Sequence, residues 1–194
     1  MNYQTDRQTE IMEAALEIIN TLGIQGLTIK NISKKVGISE PAIYRHFESK
    51  TDILIGILSN FKDMAEMLSE MMNNDKATAP EKINFLFSRM LELFTETPSM
   101  VSVIFSEEIF KNEEVLKAKI IDIVNLHTQT IEGIISTGQQ ENSIRTDIDA
   151  KNLALIAMGS FRLMVKKWEL QNHNYSLLRE GKNLIEILNK ILSK

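Results

Sequence analysis

The sequence predicts an all-α protein of about nine helices, the first three of them forming a helix-turn-helix unit. Three observations lead there. Apolar residues recur at i, i+3/i+4 spacing along almost the whole chain, and no stretch alternates with the period of two that a strand needs. Proline and glycine, with 3 and 8 copies in 194 residues, fall mainly between those stretches, where they punctuate helices. Residues 28–50 set a glycine between two short helical segments, each preceded by a capping residue, and a Gly-containing turn of three or four residues joins the helices of this motif.

The elements follow in order. The stripe Ile11, Ala15, Ile18/Ile19, Leu22 predicts a helix over about 6–22, stopped at Gly23. Leu27 and Thr28 suit the N′ and N-cap positions of the next: the Thr28 hydroxyl accepts from a free backbone N–H, and Leu27 staples onto Ile32. Gly37 supplies the left-handed residue that reverses the chain, and Ser39 caps a third helix that tolerates Pro41 in its first turn. A fourth helix starts at Ser49, with Asp52 completing a capping-box-like start, and runs to about Met72. At 1.5 Å per residue it is roughly 35 Å long, enough to serve two domains. After a polar loop over 73–80, Pro80 and Pro98 each suit the first position of a helix, near 80–95 and 98–109. A helix over 113–137 ends at Gly138. A turn through Asn142 leads to Asp147 or Asp149 as cap of a helix reaching about Leu170, and a final helix covers 176–193. The expected division is residues 1–50 and 51–194.

Composition narrows the function. With 43% hydrophobic residues the chain builds a sizeable core. It has no apolar run of 18 residues and a polar amino terminus, so neither a membrane span nor a signal peptide is expected and the location is cytoplasmic. Without cysteine there is no disulfide, thiol nucleophile or Cys-based zinc site. A net charge of −4 argues against general adhesion to nucleic acid. Residues 28–50 are the exception: Lys30, Lys34, Lys35, Arg45 and Lys50 against Glu40 and Glu48 leave five basic and two acidic side chains, a local +3. Ala42, Ile43, Tyr44, Arg45 and His46 mix the small, aromatic and basic side chains that suit a major groove. An enzyme is the rival class, yet no nucleophile elbow, Gly-rich phosphate loop or His pair at metal-ligand spacing is present. A dimeric helical adaptor is the third. No cofactor and no metal site are expected; Glu107 and Glu108 with His127 lack a ligand spacing.

At Thr28, Ile32, Gly37-Ile38-Ser39, Ala42 through Phe47 and Lys50, the chain resembles the tetracycline-repressor (TetR) family of bacterial transcription regulators. The resemblance covers roughly the first 55 residues. It implies a homodimer, an N-terminal DNA-binding domain, and a C-terminal domain that binds a small-molecule effector and dimerises through its last two helices. It implies further that Ser39, Pro41, Ala42, Tyr44 and His46 face double-stranded DNA while Thr28 and Lys50 hold phosphates. Two recognition helices related by a two-fold axis call for a palindromic operator. Glu40 departs from the pattern, serving either the helix dipole or a cytosine amino group.

For the effector, Met67, Phe87, Met90, Phe94, Met100, Phe105, Phe161 and Trp168 offer a roomy lipophilic lining. His127 interrupts the stripe Leu116, Ile120, Val124, Ile131, Ile134, either as a hydrogen-bonded core histidine or as a polar contact to ligand. The last two helices carry the stripes Leu153, Ala157, Ser160, Met164, Trp168 and Leu177, Leu184, Leu188, Ile191, with Gly159-Ser160 permitting the close approach of a dimer seam.

Overall fold

The structure, a computed structural model, describes residues 5–74, 76–106 and 113–194. Among these there are nine α-helices, one 3-10 turn and no strand. The helices are α1 (Asp6–Leu22), α2 (Ile29–Val36), α3 (Glu40–Tyr44), α4 (Lys50–Asn74), α5 (Ala79–Glu96), α6 (Pro98–Ile104), α7 (Glu114–Gln140), α8 (Ala150–Leu170) and α9 (Leu177–Leu192). The chain divides into two compact units, Met1–Lys62 with Pro98–Ile121, and Asp63–Thr97 with Asp122–Lys194.

In the first unit, the Thr5 hydroxyl accepts from the Gln8 amide at 3.3 Å, and the Gln8 side chain accepts from the Thr5 amide at 3.0 Å, closing a capping box on α1. The helix turns Ile11, Met12, Ala15, Ile18 and Ile19 inward and packs on α2 and α6. It ends at Gly23, whose φ of 68° and ψ of −179° suit a residue without a Cβ. Thr28 accepts from the Asn31 amide at 3.1 Å, and the Asn31 amide group donates back to the Gly26 carbonyl at 2.7 Å. Gly37 is left-handed (φ 77°, ψ 28°), and its N–H and that of Ile38 both reach the Ser33 carbonyl. An alanine there would meet the left-handed penalty of about 1–2 kcal/mol. Leu27, Ile32, Ile43, Ile53, Ile57 and Leu58 are buried and anchor α2, α3 and α4 to one core, each such side chain contributing about 1.5–3 kcal/mol.

The second unit is held by α5 against α9 and by α9 against α8. Thr78 donates to Glu81 through both its amide (2.8 Å) and hydroxyl (2.7 Å), which hold the Glu81 carboxyl below its ordinary range. Phe87 stacks on Phe161 with centroids 4.9 Å apart, and Phe94 tilts against Phe161 at 6.4 Å. Gly181 lets α9 lie on α5, since a Cβ there would come within 2.2 Å of a Leu91 methyl.

Two expectations are corrected. Gly138 does not end its helix: α7 continues to Gln140, and the left-handed residue is Asn142 (φ 60°). Gly138 is required by close packing instead, because a Cβ there would lie 2.6 Å from the Ala79 Cβ and 2.8 Å from Ile144. The Ser143 and Ile144 amides then close the turn onto the Gly138 carbonyl at 2.8 and 3.1 Å. The helix beginning at Pro98 ends at Ile104 rather than 109; residues 107–112, with Glu107 and Glu108, lie outside the described residues. Of the two candidate caps for α8, Asp149 accepts from the Asn152 amide at 2.8 Å. Asp147 instead takes a bidentate pair from the Arg145 guanidinium, at 2.7 and 2.6 Å, which holds its carboxyl below the usual range.

Candidate functional site

The first unit presents a reading face. Ile43 and Phe47, four residues apart, are buried and pin α3 to the core. The residues between and before them therefore turn outward: Ser39, Glu40, Pro41, Tyr44 and Arg45 are exposed, and Ala42 and His46 are half-exposed. Tyr44 keeps 51% of its surface, so its ring is not part of the core. The Gln8 side chain donates to the His46 carbonyl at 3.4 Å, tying α1 to the turn after α3. Ser39 takes the N-cap position by backbone alone, its hydroxyl making no capping bond.

The candidate phosphate contacts lie on the helix starts flanking this segment. The Thr28 oxygen is engaged as an acceptor by Asn31, which leaves the hydroxyl proton for a phosphate. Lys50 is exposed as the first residue of α4, where Ser49 already accepts from the Asp52 amide at 3.2 Å and donates to its carboxylate at 2.9 Å. The Lys50 ammonium therefore lies exposed at the N-terminal end of α4, the end of a helix that favours anions. Lys35 pairs with Glu17 across an exposed surface, where such pairs contribute little.

The second unit contains a small cavity lined by Ala65, Leu68, Leu86, Met90, His127, Thr130, Ile131 and Met158, drawn from α4, α5, α7 and α8. Its free volume of about 20 Å³ is roughly that of one water. Met90 and Met158, both unbranched and adaptable side chains, form part of its wall. Burial pushes the His127 imidazole down to about 4, so it is neutral at physiological pH, and its Nε2 is shielded from solvent.

Of the residues proposed from sequence for the effector, Met90 and His127 line this cavity. Phe87, Phe94 and Phe161 form the buried aromatic stack of the same unit rather than the cavity wall. Trp168 donates from its indole to the Tyr175 carbonyl at 2.9 Å and lies against the His173 ring. Met67 points outward, 55% exposed, and Met100 and Phe105 are buried residues of the first unit. Sequence reasoning missed Ala65, Leu68, Leu86, Thr130, Ile131 and Met158. The spacing of His127, Thr130 and Ile131 at i, i+3, i+4 was the available signal. No group of three or more metal-ligating side chains occurs among the described residues.

Helix α8 also carries an outward apolar face: Leu155, Ile156, Leu163 and Leu170 are exposed, as are Leu178 and Ile187 on α9. Most of the stripe expected to face a partner turns inward instead, since Leu153, Ala157 and Trp168, with Leu177 and Leu188, are buried in the protomer. Periodicity marked an apolar face on each helix, but α8 is apolar on two sides.

A helix-turn-helix reading face in one unit and a cavity-bearing helical bundle in the other define a ligand-responsive, DNA-binding transcriptional regulator. Residues 11–57 match the profile described as "Bacterial regulatory proteins, tetR family", and residues 60–191 match "YsiA-like protein, C-terminal region". The chain belongs to the TetR family. It is 26% identical over 191 residues to the fatty acid metabolism regulator protein of Bacillus subtilis (strain 168), covering 97% of this chain and 96% of that protein. The crystal structure of the transcriptional regulator FadR from Bacillus subtilis in complex with stearoyl-CoA superposes with a TM-score of 0.76, at 26% identity over 93% of this chain and 96% of that one. The fatty acid degradation regulator FadR from Bacillus halodurans shares the fold, with a TM-score of 0.81 at 17% identity over 97% of each chain. No described helix is long and apolar enough to cross a membrane.

Proposed function

We propose that the protein is a homodimeric repressor that leaves a palindromic operator when a long-chain fatty acyl thioester enters its second unit. In this reading residues 1–50 bind DNA, residues 51–194 bind ligand and dimerise, and no reaction is catalysed. The observation that carries it is the apolar cavity with its neutral polar side chain, found in a chain that aligns along nearly its whole length with a regulator of fatty acid metabolism.

Dimerisation is supported by the outward face of α8 and α9. Leu155, Gly159 and Leu163 repeat every four residues, and a Cβ at Gly159 would meet nothing within 4 Å in its own chain, so a second backbone has room to approach. Two recognition helices related by the two-fold axis then meet successive major grooves about 34–36 Å apart. Coupling is supported by α4, a single helix that begins at Lys50 and supplies Ala65 and Leu68 to the cavity wall. A ligand that reseats α4 alters the setting of Lys50. By linkage, ligand and DNA weaken each other by one common factor, typically about 5–150-fold.

Selection from random duplexes followed by titration with palmitoyl-CoA tests this reading. An inverted-repeat consensus whose affinity falls at least fivefold with palmitoyl-CoA is the expected result. Recovery of no palindrome, or a consensus indifferent to palmitoyl-CoA, overturns it.

A further inference from the structure

We propose that His127 reads the acyl carbonyl of the effector, so that the cavity selects a fatty chain still in ester or thioester linkage over both the free acid and the plain hydrocarbon. The inference rests on the acyl-effector reading above and adds to it the chemical group recognised and the residue that recognises it.

Six of the eight residues around the cavity are apolar, the two others are His127 and Thr130, and neither lysine nor arginine lines it. The Thr130 hydroxyl donates to the Leu126 carbonyl at 2.9 Å, and its oxygen lies 3.1 Å from the Ser69 hydroxyl. Whether its single proton goes to Leu126 or to Ser69, Thr130 has no donor left for a ligand. We place the single proton of the neutral ring on the buried Nε2, which donates into the cavity and leaves Nδ1 as the acceptor for a neighbour. One hydrogen-bonding group on an apolar wall is the arrangement that orients a ligand without setting its affinity.

The protonation state of that group decides what it accepts. Burial leaves the imidazole uncharged. A neutral ring donates a hydrogen bond to a carbonyl oxygen, but it offers no counter-charge to a carboxylate, and burying an unpaired carboxylate in an apolar cavity is strongly unfavourable. A saturated chain fails for the opposite reason: it covers the imidazole and returns no hydrogen bond. A site built around a polar contact rejects analogues that lack it, because its own group is then left unsatisfied. The carbonyl of an ester or thioester is uncharged and accepts hydrogen bonds, and it meets both requirements.

Calorimetric titration of the 194-residue protein with palmitoyl-CoA and with S-hexadecyl-CoA separates the contributions. The second compound replaces the carbonyl by a methylene and keeps the chain and nucleotide. Palmitoyl-CoA is expected to bind about tenfold more tightly, the discrimination of one neutral hydrogen bond made or left unmade, and palmitic acid is expected not to displace it. In His127→Leu the two CoA compounds should bind within about twofold of each other, the change arising from weaker palmitoyl-CoA binding. His127→Gln, which keeps a donor, should retain part of the preference. Equal affinities in the wild-type protein, or an undiminished preference in His127→Leu, overturn the assignment while leaving the acyl-effector reading intact. Should neither CoA compound bind, the acyl-effector reading itself fails, and the assignment with it. The wild-type ratio and His127→Gln decide the matter even if His127→Leu does not fold.

Discussion

Acidification should expose His127 as a stability switch, and its size follows from one buried ring. In the unfolded chain the imidazole titrates at its ordinary value of 6.5, whereas in the folded protein burial pushes it down to about 4. Above pH 6.5 both states hold it neutral and it adds no pH dependence. Between 6.5 and 4 the unfolded state takes up a proton that the native state refuses, so stability falls as pH falls, by about 1.4 kcal/mol per unit. The full loss, reached below the folded value, is about 3 kcal/mol, and about 2 kcal/mol of it is present at pH 5. Glu81 and Asp147, whose carboxyls are held low by Thr78 and Arg145, also weaken the protein in acid, but they do so equally in a His127 variant. Urea unfolding of the wild type and of His127→Gln at a fixed protomer concentration, from pH 7.5 to 4.5, therefore isolates the ring. The difference between the two proteins should move in favour of the variant by about 2 kcal/mol between pH 7 and 5. A difference that stays constant across that range, or moves the other way, refutes a buried neutral imidazole at this position.

Further outcomes concern the reading face, the helical packing and the dimer seam. Lys50→Ala should weaken binding to every DNA sequence and lower the salt slope by about 1 per lost phosphate contact, hence about 2 per dimer, whereas substitutions at Ala42 or Tyr44 should change base preference. An unchanged slope over a salt series removes Lys50 from the phosphate role. Gly181→Ala sets a methyl 2.2 and 2.6 Å from the two Leu91 methyls and should cost about 1–3 kcal/mol of stability by thermal or urea unfolding. Gly159→Ala meets nothing in its own chain, so its effect should appear as weaker dimerisation by sedimentation rather than as an unfolded protomer.

The relation of sequence to structure divides along physical lines. What the sequence determined by itself is local: the caps at Thr28 and Ser49, the left-handed stop at Gly37, the turn through Asn142 and the helix starts near Pro80 and Pro98 all rest on contacts within four or five residues, which sequence spacing displays directly. The outward set of Tyr44 and its neighbours was legible for the same reason, since burying Ile43 and Phe47 on one side of a short helix decides the other side.

What only the tertiary structure decided depends on which surfaces meet. Gly138 reads as a helix stop because glycine serves both positive φ and close approach, and only the Ala79 and Ile144 side chains above it show that the second reason applies. Periodicity marked Leu153, Ala157 and Trp168 as one face of α8 but not which face is taken up within the protomer, and the second apolar side, through Leu155 and Leu163, emerges once the first is covered. The cavity is the extreme case. Its wall joins Leu68, Leu86, His127 and Met158 from four helices far apart in the chain, while the large aromatics that appeared suited to it, Phe87 and Phe161, are consumed by stacking on each other. Side-chain size predicts who fills a core, but a void is where filling stops, and that is fixed by the packing of helices that no local pattern encodes.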